Sequence, residues 1–262
     1  MNFIDDLGKS CKLTTYPPRK IISVVPSITE LLYDLGLEDS IAGITKFCVF
    51  PDSIFRSKPR IGGTKTIDVE KIKAIKPDLI IANKEENDQS QIEQLSASFP
   101  TFVTDIKKYE DALEKIKIIS ELTDTAHKAK GLMGEIEKGF KEMPILRNKP
   151  RVAYMIWKSP LMIAGGDTYI QDMLSKAGFI NAFAHHKRYP SIEESELSAA
   201  KVDYILLSSE PFPFKKKDVA FFTQLSPTSK AILVDGTMFS WYGSRLQQVP
   251  PYFVTLQEQL KN

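Results

Sequence analysis

The chain has 262 residues, long enough for one large domain or two ordinary lobes, and either can bury a proper core without disulfide or metal staples. Hydrophobic residues make up 42% and charged residues 26%, which excludes the disordered and fibrous classes. The formal charge of +2 is spread along the chain, and its densest basic run, Lys215 to Lys217, reads as a solvated helix start, so no nucleic-acid stripe is indicated.

In chain order, the N-terminal MNFIDDLGKSCKL has two acidic residues and no apolar run of signal-peptide length, and no later stretch approaches about 18 apolar residues. Residues 20–25 predict a strand, and SITELLYDLG predicts a helix with Ile28, Leu31, Leu32 and Leu35 on one face. Ser27 is the expected N-cap, Glu30 the capping-box partner and Gly36 the stop. The alternation continues with IAGITKF (strand), VEKIKAIK (helix), DLIIAN (strand), QIEQLSAS (helix), TFVTD (strand) and YEDALEKIKIISEL (helix). Near-continuous apolar strands alternating with helices predict a parallel sheet covered on both faces.

From Asp124 to about Met143 the composition turns helical, which predicts a connecting helix of about twenty residues and roughly 30 Å. After Pro150 the alternation restarts: RVAYMIW (strand), TYIQDMLSKAG and ELSAA (helices), DYILLSS (strand), VAFFTQL (helix), KAILVDG (strand) and a closing helix from about Gln247. The halves echo each other: Thr29 to Gly36 parallels Thr168 to Gly178, and Asp78 and Asp203 each precede an apolar strand. The expected organisation is an N-terminal lobe at 1–122, a linker helix at 123–149 and a C-terminal lobe at 150–262.

Motifs for dinucleotide, Walker and nucleophile-elbow chemistry are absent, and Gly165 and Gly166 before Thr168 read as a turn and helix cap. Cys11 and Cys48 lack metal-ligand spacing. Cys48 has no histidine base in view, because the three histidines are His127 in the presumed linker and the neighbours His185 and His186. Two adjacent side chains on regular structure cannot face one point, and no carboxylate lies at ligand spacing, so no metal site is expected. What stands out is a set of aromatic and polar residues after the strands, where open α/β sheets place ligands: Phe47, Cys48 and Phe50; Asn83; Trp157; Phe212 and Phe214; Phe239, Trp241 and Tyr242. Such a lining suits a large, flat or ring-shaped ligand.

KIISVVPSITELLYDLG, IAGITKFCVFP and IGGTKTIDVEKIKAIKPDLIIAN resemble the periplasmic binding proteins for cobalamin and ferric siderophores, and the similarity runs from about Arg19 onward. The resemblance implies an α/β fold of two Rossmann-like lobes with parallel sheets bridged by one long helix. It implies a monomeric, non-catalytic receptor without a cofactor, which takes a cobalamin, ferric siderophore or haem in an interlobe cleft and delivers it to an ABC transporter. By position it assigns Phe47, Thr64, Asn83, Trp157, Tyr189 and Trp241 to the ligand and Glu70, Glu194 and Glu196 to permease docking. Thr64 and Asn83 depart from the family pattern in being small and polar, and Lys46, Lys65, Lys84 and Lys158 would suit an anionic chelate. The family location is periplasmic; with no export signal in this sequence, a cytoplasmic scavenger or sensor is the alternative, and a chelatase-like enzyme on the same fold is another.

Overall fold

A computed structural model describes residues 1–146 and 148–261, with the side chain of residue 261 outside the description. The chain divides into two compact units. The first comprises residues 1–106, 110–136 and 242–247; the second comprises 107–109, 137–241 and 248–262.

The first unit opens on a small antiparallel hairpin, β1 (Asn2–Ile4) and β2 (Ser10–Lys12). Then follow β3 (Ile21–Ser23), α1 (Pro26–Asp34), β4 (Ile41–Ile44), α2 (Asp52–Ser57), α3 (Val69–Ile75), β5 (Leu79–Asn83), α4 (Gln89–Ser96), β6 (Thr101–Thr104) and α5 (Tyr109–Leu122). Its four-stranded sheet is parallel in the order β4-β3-β5-β6. Every residue of β3, β5 and β6 is buried, as apolar strands covered on both faces require. Helix α6 (Ala126–Glu142) stops just short of Pro144; its residues through Ile136 belong to the first unit and those from Glu137 to the second.

The second unit contains β7 (Arg151–Trp157), β8 (Met162–Ile163), α7 (Tyr169–Lys176), β9 (Ile180–Asn181), α8 (Glu194–Ala199), β10 (Tyr204–Ser208), α9 (Lys216–Leu225), β11 (Lys230–Val234), α10 (Thr237–Ser240) and α11 (Val249–Lys261). Parallel pairing runs β9-β7-β10-β11, and β8 pairs antiparallel with β7. On one face of this sheet Met155, Ile205 and Leu207 join Phe183, Phe214 and Phe222 in a buried cluster. Tyr154 packs against Phe239 at 5.1 Å between ring centroids, and Phe239 against Phe253 at 4.9 Å. Among the parallel strands of each main sheet, the first in sequence lies between the second and the third, so both have the order 2-1-3-4 and a switch point beside the first strand. Gly36 and Gly178, each shortly after the first helix of its unit, take φ values of 74° and 79°, a left-handed stop that glycine adopts without Cβ strain.

One local expectation is corrected. Ser27 does not cap α1: Val25 is the N-cap, Pro26 supplies the first turn with its preset φ, and no side chain accepts there. Ser27 lies inside the helix, and Glu30 bonds Arg245 instead of the helix start. The reading of Thr168 as a cap holds, since its hydroxyl accepts the Gln171 N–H at 3.2 Å. Among the described residues no helix is long and apolar enough to cross a membrane, and both cysteines are free and buried.

Candidate functional site

Exposed aromatic side chains are concentrated at or after strand carboxyl ends. Of the four exposed aromatics among the described residues, Tyr16, Phe47, Phe50 and Trp157, three directly follow β4 or end β7. Burying such groups elsewhere would have been favourable by about 2 kcal/mol each, so leaving three at strand ends marks those loops as contact surface.

In the first unit, Phe47 is 50% exposed and the Lys46 ammonium sits 5.1 Å from its ring centroid. The Arg245 guanidinium lies 4.7 Å from the Phe50 ring. Beneath them Cys48 is fully buried, its Sγ 3.1 Å from the Thr29 hydroxyl and 3.2 Å from that of Thr45. Burial pushes the Cys48 thiol up, so it is a neutral loop anchor and not a nucleophile.

Asn83 is buried, and its side chain organises the loop after β5. Its carbonyl accepts the N–H groups of Glu85 at 2.8 Å and Glu86 at 3.1 Å, and its amide donates to Thr104 Oγ1 at 3.1 Å. Asn87 then donates to the carbonyls of Val24 and Thr64, both at 3.1 Å, which ties the loop after β3 to the one containing half-buried Thr64. This web is the first unit's rigid platform.

In the second unit Trp157, 39% exposed, meets Phe212 edge-on at 5.5 Å, and Phe212 meets Phe214 at 4.7 Å. The Trp157 indole N–H donates to the Ser159 carbonyl at 3.0 Å, fixing the ring. Trp241 is only 7% exposed, and its indole N–H donates to Glu210 at 2.9 Å. Tyr189 is half-buried, with the Arg188 guanidinium 5.8 Å from its ring. Phe212, a strand-end aromatic in the sequence but outside the ligand set that the resemblance implies, joins the same wall through its contact with Trp157.

Three of the four lysines expected to attract an anionic chelate are spent on the protein itself. Lys65 donates to the carbonyls of Glu85 and Asn87 at 2.6 and 3.1 Å, Lys84 pairs with Asp105 at 2.7 Å, and Lys158 pairs with Asp218 at 2.7 Å. Asp105 and Asp218 locally offset the charges of Lys84 and Lys158, while Lys65 is held on neutral loop carbonyls, a feature that residue spacing cannot reveal.

At the helix starts, Glu70 is exposed in the first turn of α3 and pairs with Lys73 at 2.8 Å. Glu194 is exposed at the start of α8, while Glu196 on the same helix bonds His186 at 2.7 Å. No carboxylate lies at ligand spacing along the sequence, yet the fold brings one to the histidines. The histidines lie in a turn and not on regular structure, and Glu196, ten residues downstream, is folded back onto them.

Residues 21–231 match the family described as periplasmic binding protein. The vitamin B12-binding protein of Yersinia pestis (strain Pestoides F) is 27% identical over 194 residues, 72% of this chain and 69% of its own. The apo periplasmic heme-binding protein RhuT of Roseiflexus sp. RS-1 superposes with a TM-score of 0.78 at 19% identity, covering 92% of this chain and 97% of that one. The periplasmic vitamin B12-binding protein BtuF of Vibrio cholerae gives 0.76 at 18% identity, covering 94% and 99%. With four-fifths of its length inside the family pattern, and with two α/β units of matching sheet order, the chain belongs to the periplasmic binding protein family, whose members bind substrates and do not transform them.

Proposed function

We propose that the chain captures a large ring-shaped metal chelate, of the corrinoid or haem class, on the strand-end faces of its two units and hands it to an ABC permease. The observation that carries this reading is the aromatic pair of Trp157 and Phe212 at the carboxyl ends of the second unit, together with exposed Phe47 in the first. An indole fixed by its own hydrogen bond and braced edge-on by a second ring suits a flat macrocycle. The pairing of Lys84 with Asp105 and of Lys158 with Asp218 argues against a multiply anionic ferric siderophore, which would need unpaired cations. Thr64, Asn83 and Tyr189 complete the proposed ligand set, with Asn83 acting through the loop it shapes, while Trp241, nearly buried with its indole N–H given to Glu210, is assigned to the fold.

Exposed Glu70 and Glu194 are the proposed docking carboxylates, one per unit. Glu196 is the weaker candidate because His186 already engages it. The family location supports a periplasmic setting. The test is titration of the apo chain with cyanocobalamin, haemin and a ferric tris-catecholate, followed by tryptophan fluorescence. Saturable quenching by a macrocycle at one equivalent supports the reading; saturable binding of the catecholate alone overturns the ligand class.

A further inference from the structure

The structure assigns a divalent transition-metal site to His185, His186 and Glu196 in the second unit, on the loop that also carries Tyr189. One ligand atom from each of the three residues lies within 4.8 Å of the others. His186 Nε2 is 2.7 Å from Glu196 Oε1, and the two imidazole centroids are 4.3 Å apart with their planes 42° apart.

The scaffold that presents these groups is closely specified. The His186 N–H donates to the Phe183 carbonyl at 3.0 Å, and the Phe183 ring lies 6.0 and 6.3 Å from the two imidazoles. Asn181 holds the turn from beneath, accepting the Phe183 N–H at 3.0 Å and donating to the Ala164 carbonyl at 2.9 Å. From the side, Gly165 and Gly166 donate to the carbonyls of Arg188 and His186, both at 2.8 Å. A Cβ on Gly165 would fall 2.6 Å from the His186 carbonyl, and one on Gly166 only 2.0 Å from that of Ala184. The glycine pair therefore exists for close approach to the histidine turn. The Arg188 N–H also donates to Asp167, and Arg188 takes a left-handed φ of 61° that turns the chain back toward α8.

Two imidazoles and a carboxylate form a three-ligand set that leaves room for water or a further donor and suits Zn²⁺ or Ni²⁺. Bonds of about 2.1 Å at a tetrahedral angle put neighbouring ligand atoms roughly 3.4 Å apart, so His186 and Glu196 open by only about 0.7 Å to admit the ion. The cationic neighbours Lys187 and Arg188 are exposed, which screens their opposition.

The test uses the tag-free, chelator-stripped full chain titrated calorimetrically with ZnCl₂ and NiCl₂. Expected is one ion per chain, lost in H185A/H186A, weakened about tenfold or more in E196Q and kept in H127A. On the unsubstituted chain, Zn²⁺ should protect two of the three histidines from diethylpyrocarbonate, counted by peptide mass spectrometry. No one-to-one binding, binding unchanged in H185A/H186A, or protection confined to His127 overturns the site. None of these readouts involves the macrocycle.

Discussion

Asp203 and Arg151 clasp one another through the backbone. The Arg151 N–H donates to the Asp203 carboxylate at 2.7 Å, and the Asp203 N–H returns to the Arg151 carbonyl at 2.8 Å. The first unit repeats the device: Asp78 accepts the N–H groups of Arg19 and Lys20 at 2.9 and 3.0 Å and donates its own to the Lys20 carbonyl at 2.9 Å. Each clasp pins the start of the third strand beside the first, so it sets parallel register where the sheet has no turn to do so. Asp203→Ala and Asp78→Ala should each cost about 1–2 kcal/mol in urea unfolding, with the aspartate-to-asparagine variants keeping an acceptor and losing less. Equal stability of the alanine and wild-type chains would remove the clasp from the account of register.

Arg245 and Glu30 form a buried bidentate pair at 2.6 and 2.9 Å within the first unit. Burial raises the Glu30 carboxyl above its ordinary value, and Arg245 pulls it back only in part. A raised folded-state value favours folding below the unfolded value of about 4.3, and that contribution is lost as pH rises through the folded value. Arg245→Met removes the offsetting charge. It should cost about 3–5 kcal/mol near neutral pH and carry the pH-dependent loss of stability further up the pH scale, with Glu30→Gln in the same chain flattening it again. Chemical denaturation at several pH values reads both effects.

Asp218 is an opposite case. Hydrogen bonding from Lys158 holds its carboxyl below the ordinary range despite burial, and the Lys215 N–H at 2.9 Å adds to this. Its stabilising contribution is therefore full above about pH 3.9 and is lost as pH falls through the lowered value. Asp218→Asn should lower the denaturation midpoint at pH 7 and leave a shallower acid limb, so that the two chains converge as pH falls through the lowered value. Parallel curves would exclude the linkage.

The sheets and most helices were legible because their signals are local: α5 falls on the whole of YEDALEKIKIISEL, and β7 on the whole of RVAYMIW. Short elements such as α2 and α10, at six and four residues, hold too few periodic positions to be read. The site was legible only as a list of residues after strands. Which of them are spent inside the protein depends on partners far off in sequence: Lys158 on Asp218, and Glu196 on His186. A strand-end asparagine looks the same in sequence whether it faces a ligand or, like Asn83, shapes the loop that does.

The two tryptophans separate the ligand role from the structural one. Trp157 is 39% exposed and braced by Phe212, whereas Trp241 is 7% exposed with its indole N–H given to Glu210. Trp157→Ala removes a surface ring, so the chain should keep its unfolding midpoint while losing about 1–3 kcal/mol of macrocycle affinity, roughly 5- to 150-fold. Phe212→Ala should lose less, since its ring supports the indole edge-on. Trp241→Ala empties a buried space and should cost about 3–5 kcal/mol of folding free energy instead. Because the chain has only two tryptophans, the residual emission of each single variant isolates the other. The measurement is paired: denaturation midpoint and ligand titration on each variant. Should Trp157→Ala bind the macrocycle as tightly as the parent chain, the aromatic wall is a packing feature and the proposed ligand face lies elsewhere on the units.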